Sequence, residues 1–188
     1  MDEIDRKLVS QLQIDGRTTL KRLSEITGLT SMGIRKRLGA MQRRSLIRIS
    51  GLLNVDALTL HGALVMLEVE AAAMDRIIDR FRSCPRVVSL FTTLGGYNLT
   101  ALIMAGDHDT LKSVSLEKCS LRSQEGVRRS EFYPIGSFLL SSFLPIREQL
   151  VLRKGKKAPC GIRCGSCDKY IAGKCEACPA TSHYRGPL

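Results

Sequence analysis

The chain has 188 residues and a formal net charge of +11, from 29 Lys and Arg against 18 Asp and Glu. This length is sufficient for one or two domains with hydrophobic cores of their own. Because no apolar run is long enough to cross a membrane and no signal-peptide pattern is present, we expect a cytoplasmic protein and no membrane partner.

The positive charge is concentrated at the two ends of the chain. Residues 1–50 hold 11 basic and 5 acidic side chains, and residues 147–188 hold 9 and 3. Residues 51–146, between them, are nearly neutral, with 9 and 10. Two basic ends around a neutral middle favour a polyanionic partner, although the same charge would also serve solubility.

Two short helices are predicted at the start of the chain. Asp2 can cap the first, which ends near Gly16, and Thr19 can cap the second, which ends at Gly28. In both segments apolar residues recur at intervals of three and four, so one face of each helix is expected to pack inward.

A third helix, over residues 30–44 and capped by Thr30 or Ser31, is apolar on one face and cationic on the other. Ile34, Leu38 and Met41 share the inward stripe. The opposite face carries Met32, Arg35, Lys36, Gly39 and Arg43. A helix of this kind suits a major groove lined by phosphates, although a solvated basic surface helix has the same pattern. The tight glycine-containing turn before it indicates a helix-turn-helix.

Two further features follow from the same region. Residues 46–49, Leu-Ile-Arg-Ile, are predicted to form a wing or a short strand. Gly33 and Gly39 lie inside the third helix, where each costs about 1 kcal/mol relative to Ala. A glycine on the outer face would allow close approach to a phosphate, or would leave a helix that becomes stable only on DNA.

Five motifs occur in order over about fifty residues: Asp2-Glu-Ile-Asp-Arg-Lys-Leu, Asp15-Gly-Arg-Thr, Leu23-Ser-Glu-Ile-Thr-Gly-Leu-Thr, Ile34-Arg-Lys-Arg-Leu and Leu46-Ile47. Together they resemble the DNA-binding half of the Lrp/AsnC (feast/famine) transcriptional regulators. The resemblance implies a sequence-specific regulator that binds double-stranded DNA and is not an enzyme.

Eight residues of this region are the predicted DNA contacts. Ser31, Met32 and Arg35 are best placed for base edges, because the start of a recognition helix normally enters the groove. The complete set is Lys21, Arg22, Ser31, Met32, Arg35, Lys36, Arg37 and Arg43.

The middle of the chain, residues 61–144, reads as β-α-β-β-α-β, with residues 51–60 as a linker before it. This order is that of a ferredoxin-like fold. The predicted elements are strand 61–70, helix 71–83, strand 87–93, strand 97–105, helix 107–122 and strand 126–138. The chain is therefore predicted to be α+β, with a winged helix-turn-helix, a βαββαβ effector and oligomerisation domain, and a small tail.

The stretch Leu94-Gly-Gly-Tyr-Asn-Leu stands where the Lrp/AsnC family carries a Gly-x-Tyr-Asp-Leu turn. The resemblance implies that Gly95, Gly96, Tyr97 and Asn98 bind a small-molecule effector, usually an amino acid, and that the chain forms a homodimer or a higher homo-oligomer. Asn98 departs from the usual Asp, and a neutral amide lacks the charge that would pair with an ammonium group. A plain hairpin turn would also account for the two glycines.

The last segment, residues 160–188, follows a basic linker at 145–159 and is rich in cysteine. Its pattern is Cys160-x3-Cys164-x2-Cys167-x7-Cys175-x2-Cys178-Pro179. Two Cys-x2-Cys pairs supply the four thiolates that Zn²⁺ prefers, whereas the fifth thiol and the Cys-Pro ending also suit a [4Fe–4S] cluster. The segment has few core-forming side chains, so we predict a metal site that holds it together.

Two other functions are considered, a tetrapyrrole enzyme and a metal- or redox-responsive regulator. Siroheme decarboxylases share the two-module architecture and handle a tetrapyrrole, but His61 and His108 are the only histidines of the middle module and no catalytic constellation is recognisable. A regulator that responds to metal or redox state through its tail would combine DNA binding with the cysteine cluster.

Overall fold

The computed structural model describes residues 1–146 and 155–187. The chain divides into two compact units, with the boundary between Gly51 and Leu52. None of the helices in the described part is both long and apolar enough to cross a membrane.

The first unit contains three helices, α1 (Glu3–Ile14), α2 (Leu20–Thr27) and α3 (Ser31–Arg43). The predicted caps are confirmed: side-chain oxygens of Asp2, Thr19 and Thr30 each accept a hydrogen bond from a backbone N–H of the following turn. Gly28 ends α2 with a left-handed φ of 72°, a conformation that glycine adopts without steric cost.

The core of this unit is built from one buried face of each helix. Its centre is formed by Leu8, Leu23, Ile34 and Met41, and Leu38 packs against them. Each such side chain stabilises the fold by about 1.5–3 kcal/mol when fully buried. The inward stripe predicted for α3 is therefore confirmed, and it leaves the cationic face outside.

The predicted wing or strand at residues 46–49 is not formed, because those described residues pair with no strand. Ser45 turns the chain with a φ of 53°, and the Leu46 N–H donates back to the Met41 carbonyl at 2.9 Å. Ile47 then packs onto the helical core. Leu46 and Ile49 remain exposed, and the prediction of a strand is wrong.

A partly exposed ion pair joins α3 to the start of α1. Arg37 Nη1 lies 2.6 Å from Asp2 Oδ2 and 2.8 Å from Asp5 Oδ1. The pKa of Asp2 is held below its ordinary value, first by the hydrogen bond from the Asp5 N–H and then by Arg37. The charge of Arg37 therefore stabilises the packing of α3 against α1.

The second unit contains a four-stranded antiparallel sheet with strand order β3-β4-β2-β5. The predicted β-α-β-β-α-β order is confirmed. The elements are β2 (His61–Val69), α4 (Ala71–Phe81), β3 (Val87–Thr92), β4 (Leu99–Ala105), α5 (His108–Leu116) and β5 (Val127–Pro134). The apolar sides of α4 and α5 share one core with the inward residues of β2 and β4.

Residues 51–60, predicted as a linker, are mostly exposed, but Val55 and Leu60 are buried and residues from Leu52 onward belong to the second unit. β1 (Leu53–Asn54) pairs antiparallel with β6 (Phe143–Leu144). Val55 is completely buried, and the Asn54 side chain accepts hydrogen bonds from the backbone N–H groups of Asp56 and Ala57. The segment is therefore anchored to the second unit at two points, through the pairing of Leu53 and Asn54 with β6 and through the buried side chains of Val55 and Leu60.

The tail packs against the βαββαβ elements within the second unit. Its regular elements are a 3₁₀ turn (Cys164–Ser166) and α6 (Asp168–Ile171). Ser113 Oγ of α5 donates to the Lys174 carbonyl at 2.8 Å, and the Glu176 N–H donates to Thr110 Oγ1 at 2.9 Å. Residues 147–154 of the predicted basic linker lie outside the described residues.

The Asp2–Arg37 pair predicts a pH-dependent stability of the helical unit. Since the folded-state pKa of Asp2 lies below the ordinary 3.8, its contribution is complete above that value and is lost as pH falls through the lowered pKa. Asp2→Asn keeps a good helix cap but removes the charge. We expect the variant to unfold at a lower temperature than the wild type at pH 7, with a smaller difference between the two at pH 2.

Circular dichroism of the full chain at both pH values measures this difference. Glu25→Gln is the control, because it removes an exposed ion pair with Arg22 in the same unit, which should contribute little. An Asp2→Asn deficit of equal size at both pH values would contradict the role of the charge.

Candidate nucleic-acid interface and metal centre

The outer face of α3 presents positive charge without nearby acidic groups. Met32 is 71 % exposed, and Ser31, Arg35 and Lys36 are exposed beside it. In the described parts of the chain, Arg35, Lys36 and Arg43 have no ion-pair partner. The sequence contains no Asp or Glu between Glu25 and Asp56. An uncompensated cationic face of this kind attracts a polyanion.

The two glycines of α3 have different surroundings. A Cβ at Gly39 would lie 3.4 Å from Arg43 Nη1, so the absence of a side chain leaves room for the guanidinium to lie back along the helix. A Cβ at Gly33 would lie 3.5 Å from Thr30 Oγ1 and 3.9 Å from Leu29 Cβ, both ordinary contact distances. The fold of the unit therefore does not require glycine at position 33, which lies in the first turn of α3.

The remaining predicted contacts differ in how available they are. Lys21 and Arg22 are exposed on α2, with Arg22 Nη1 3.1 Å from Glu25 Oε2. Arg37 is only 33 % exposed, and its charge is shared with two carboxylates of α1. We therefore assign Arg37 to the packing of the three helices and leave the other seven predicted residues as candidate contacts.

The loop between β3 and β4 borders an open cleft of about 370 Å³. Gly95, Gly96 and Asn98 line it, together with residues of β2, of the start of α4 and of β5. Its charged groups are two ion pairs, Arg128–Glu70 at 3.3 Å and Arg129–Glu68 at 3.4 Å. The cleft therefore offers both signs of charge.

Tyr97 does not line this cleft, although it was predicted to bind the effector with its neighbours. Its hydroxyl donates to Glu131, and its ring lies 4.7 Å from the Arg129 guanidinium carbon. The side chain thereby packs the loop onto β5, and its contribution to the cleft is to position Arg129.

Asn98 makes a pair of hydrogen bonds that the sequence did not reveal. Its Oδ1 accepts from the Val69 N–H and its Nδ2 donates to the Val69 carbonyl, both at 2.8 Å. An amide can do both at once, whereas a carboxylate can only accept. The departure from Asp at this position is thus explained by a structural bond to the end of β2.

All seven cysteines line a single cavity of about 60 Å³ in the second unit. Five are the tail cysteines predicted as metal ligands, Cys160, Cys164, Cys167, Cys175 and Cys178. The other two are Cys84, in the connection from α4 to β3, and Cys119, which follows α5. All seven are free thiols. Sequence spacing could not place Cys84 and Cys119 here, because each is isolated along the chain.

Arg86 is the one charged residue that lines the cavity within the described part of the chain. It is 8 % exposed, donates to the Ala177 carbonyl, and has Nη2 3.9 Å from Glu176 Oε2. Burial raises the pKa of Cys119 and of Cys178 to about 12, so both are neutral thiols in the absence of a metal. Metal binding would release their protons, with Arg86 compensating the negative charge of the thiolates.

The donors fit a thiophilic metal, but not a single ion with the side chains as they stand. No group of three His, Cys, Asp or Glu side chains within residues 1–146 and 155–187 is arranged to hold one ion. The donors are instead distributed around the wall of one cavity. Zinc and an iron–sulfur cluster therefore both remain predictions for the tail.

Comparison with known proteins matches the first unit to one domain family. Residues 1–42 match the AsnC-type helix-turn-helix domain. The HTH-type transcriptional regulator FL11 of Pyrococcus furiosus is 26 % identical over 128 residues, which is 67 % of this chain and 85 % of FL11. FL11 of Pyrococcus horikoshii is 26 % identical over 115 residues, which is 60 % of this chain and 76 % of that protein.

Solved structures share the fold of both units. AsnC of E. coli has a TM-score of 0.63 at 19 % identity, covering 73 % of this chain and 93 % of that one. A transcriptional regulator of Neisseria meningitidis in complex with L-Met has a TM-score of 0.66 at 22 % identity, covering 77 % of this chain and 96 % of that one. The fold is therefore Lrp/AsnC-like, with an N-terminal helix-turn-helix and an α+β domain built on an antiparallel sheet.

The hydrogen bonds of Asn98 predict the effect of restoring an acidic residue. In Asn98→Asp the carboxylate can still accept from the Val69 N–H, but it faces the Val69 carbonyl without a proton to donate. We expect a loss of about 1–2 kcal/mol in the free energy of unfolding at pH 7. The loss should shrink below about pH 4, where the carboxyl becomes protonated and can donate again.

Urea unfolding of the full chain at pH 7 and pH 3 tests this expectation. Tyr97→Phe is the control in the same loop, because it removes a single partly buried hydrogen bond, to Glu131, and keeps the pairing of Asn98 with Val69. An Asn98→Asp variant as stable as the wild type at pH 7 would show that the amide pairing contributes nothing.

Proposed function

We propose that this protein is a sequence-specific DNA-binding transcriptional regulator that acts in the cytoplasm as a homodimer or higher homo-oligomer. The observation that carries the proposal is the exposed, uncompensated cationic face of α3 on an AsnC-type helix-turn-helix. The curated relatives that match most of their own length are HTH-type transcriptional regulators, which agrees with it. Double-stranded DNA is the partner that this face suits.

The first turn of α3 carries the residues best suited to base edges. Ser31, Met32 and Arg35 are exposed there, next to Gly33, at which the backbone is bare of a side chain. A guanidinium can donate two hydrogen bonds to guanine, and a methionine side chain offers an apolar surface to a thymine methyl group. Lys21, Arg22, Lys36 and Arg43 would contribute mainly phosphate contacts.

The cleft beside Gly95 and Gly96 is the proposed effector site. A small zwitterion needs one cationic and one anionic partner, and the cleft contains Arg128, Arg129, Glu68 and Glu70. These four groups are already paired with each other, so an effector would have to exchange partners with them. The L-Met complex of the Neisseria regulator supports an amino acid as the effector class.

The enzyme alternative gains no support from this chain. The structure does bring His61 and His108 together, with ring centroids 3.9 Å apart. Neither ring has an ion-pair partner within the described residues, and the curated relatives are regulators. The pair joins the start of β2 to the start of α5, which is a sufficient structural role.

The five tail cysteines are proposed to hold a metal, as zinc or as a [4Fe–4S] cluster. The support is chemical: five thiols of the tail share one cavity, and the segment around them has few other core residues. A metal centre here would respond to metal supply or to oxidants and would thereby bias the regulator.

The recognition role of α3 can be separated from its packing role by a matched pair of arginine substitutions. Arg35→Ala should weaken binding to a duplex selected from random sequence by roughly 1–3 kcal/mol and relax its sequence preference. Arg37→Ala removes the same charge from the same helix, but should mainly lower the unfolding temperature of the unit. Gel shifts and thermal unfolding on the full-length variants measure the two effects.

Reversed effects, with Arg37→Ala weakening DNA binding more than Arg35→Ala at equal stability, would contradict this assignment of the helix faces. Affinity should also fall steeply as salt rises, because several phosphates are neutralised.

The regulatory role of the tail predicts that metal-loaded and metal-stripped protein differ in operator affinity. We expect a difference of at least about fivefold, the lower end of ordinary allosteric coupling. Fluorescence anisotropy of the same labelled duplex with both forms, prepared anaerobically, measures it. Equal affinities would leave the metal a structural role only.

A further inference from the structure

We propose that the cavity lined by the seven cysteines holds one iron–sulfur cluster whose four cysteine ligands come from both the tail and the βαββαβ domain, with Cys84 and Cys119 among them. This inference rests on the proposed metal binding by the tail and extends it to two residues that lie outside the tail. The cofactor class is a cluster with bridging sulfide, of the [4Fe–4S] type.

The two domain cysteines reach the cavity from separate elements. Cys84 follows α4, and Cys119 follows α5, so both stand at the carboxyl-terminal ends of the helices that cover the sheet. The tail supplies the other five thiols of the lining, and apolar residues of the domain, including Phe81 and Val114, also line the cavity. Ligands are therefore available from both sides of the cavity.

The number and spacing of the thiols favour a cluster over one zinc ion. Zn–S bonds of about 2.3 Å bring the sulfurs of a tetrahedral site to about 3.8 Å from one another, which leaves no space between them. Here the seven thiols are instead distributed, together with apolar side chains, around the wall of a cavity of about 60 Å³, and among the described residues no three of them are arranged to hold one ion. A four-iron cluster suits such a space, because four of the cysteines would each bind a different iron and the sulfides would occupy the centre.

The charge of the cavity wall suits the same group. Thiolate-bound iron–sulfur clusters are anionic, and an anion in an apolar cavity needs a nearby counter-charge. Arg86 supplies that charge from a buried position. No carboxylate is among the described residues of the lining, so hard ions such as Mg²⁺ and Ca²⁺ lack their preferred ligands.

The position of the tail beside Cys84 and Cys119 depends on contacts that involve no thiol. Thr110 and Ser113, both buried on α5, bond to the backbone of Glu176 and Lys174. The Glu176 carboxylate accepts from the Gly106 N–H at 3.1 Å. These bonds hold the two walls together, so the shared site is prearranged by the packing of the tail.

The test compares full-length wild type with the Cys84→Ala/Cys119→Ala double variant, each purified anaerobically and reconstituted with ferrous iron and sulfide. We expect about four iron and four sulfide per wild-type chain with broad visible absorption, and loss of at least half of both in the double variant. Ile162→Val is the control, because it alters the cavity wall without removing a thiol. Thermal unfolding of the metal-free proteins verifies that the variants are folded.

The single variants Cys84→Ser and Cys119→Ser keep the test decisive if the double variant does not fold. Exchange of a ligating sulfur for oxygen should change the electron paramagnetic resonance spectrum of the reduced cluster in at least one of them. Wild-type iron content and unchanged spectra in all these variants would overturn the shared site, while leaving metal binding by the tail intact. A wild-type protein that takes up about one zinc and no iron would overturn the cluster, again without bearing on DNA binding.

Discussion

Burial of one face of the four-stranded sheet is the constraint on which the second unit depends. Side chains alternate along a strand, so every second residue of β2 and β4 must be covered. Val65 and Ile103 are examples, and both are buried. The helices α4 and α5 cover most of this face, and the tail covers the remainder beside the ends of the helices. The tail is thereby part of the fold of this unit, and its cysteines come to face those of the domain.

The polar groups at this junction have one function in common, which is to satisfy backbone atoms that burial would otherwise leave unpaired. Arg86 donates to the Ala177 and Met104 carbonyls, and Thr110 accepts from the Glu176 N–H. Unpaired polar groups at such depth cost about 1–3 kcal/mol each. The junction is therefore specific in register, which is the condition for a site assembled from two segments far apart in sequence.

In the first unit, one face of the short helix α3 packs against the other helices and the opposite face is exposed and cationic. The stripe of Ile34 and Met41 holds α3 against its neighbours, and Arg37 adds an ion pair at the edge of that contact. Arg35 and Lys36, adjacent in sequence, point into solvent because the helix turns by about 100° per residue. The same sequence run can therefore stabilise the unit with one arginine and bind a polyanion with another.

What could be read from the sequence was local. Helix caps at Asp2, Thr19 and Thr30, the stripe of α3 and the order of the βαββαβ elements all depend on residues within a few positions of each other, and all are confirmed. The five tail cysteines were recognisable as candidates for the same reason. Their close spacing carries the signal within a single segment.

What only the tertiary structure decided is long-range pairing. Examples are the ion pairs of Arg37 with Asp2 and Asp5 and the hydrogen bonds between Asn98 and Val69. The pairing of β1 with β6, and the position of Cys84 and Cys119 in the same cavity as the tail cysteines, are two more. No periodicity or spacing records these contacts, because each depends on which surfaces of distant segments meet when the core is buried. Local preference selects the helices and strands, whereas the need to cover apolar faces and pair buried polar groups selects their neighbours.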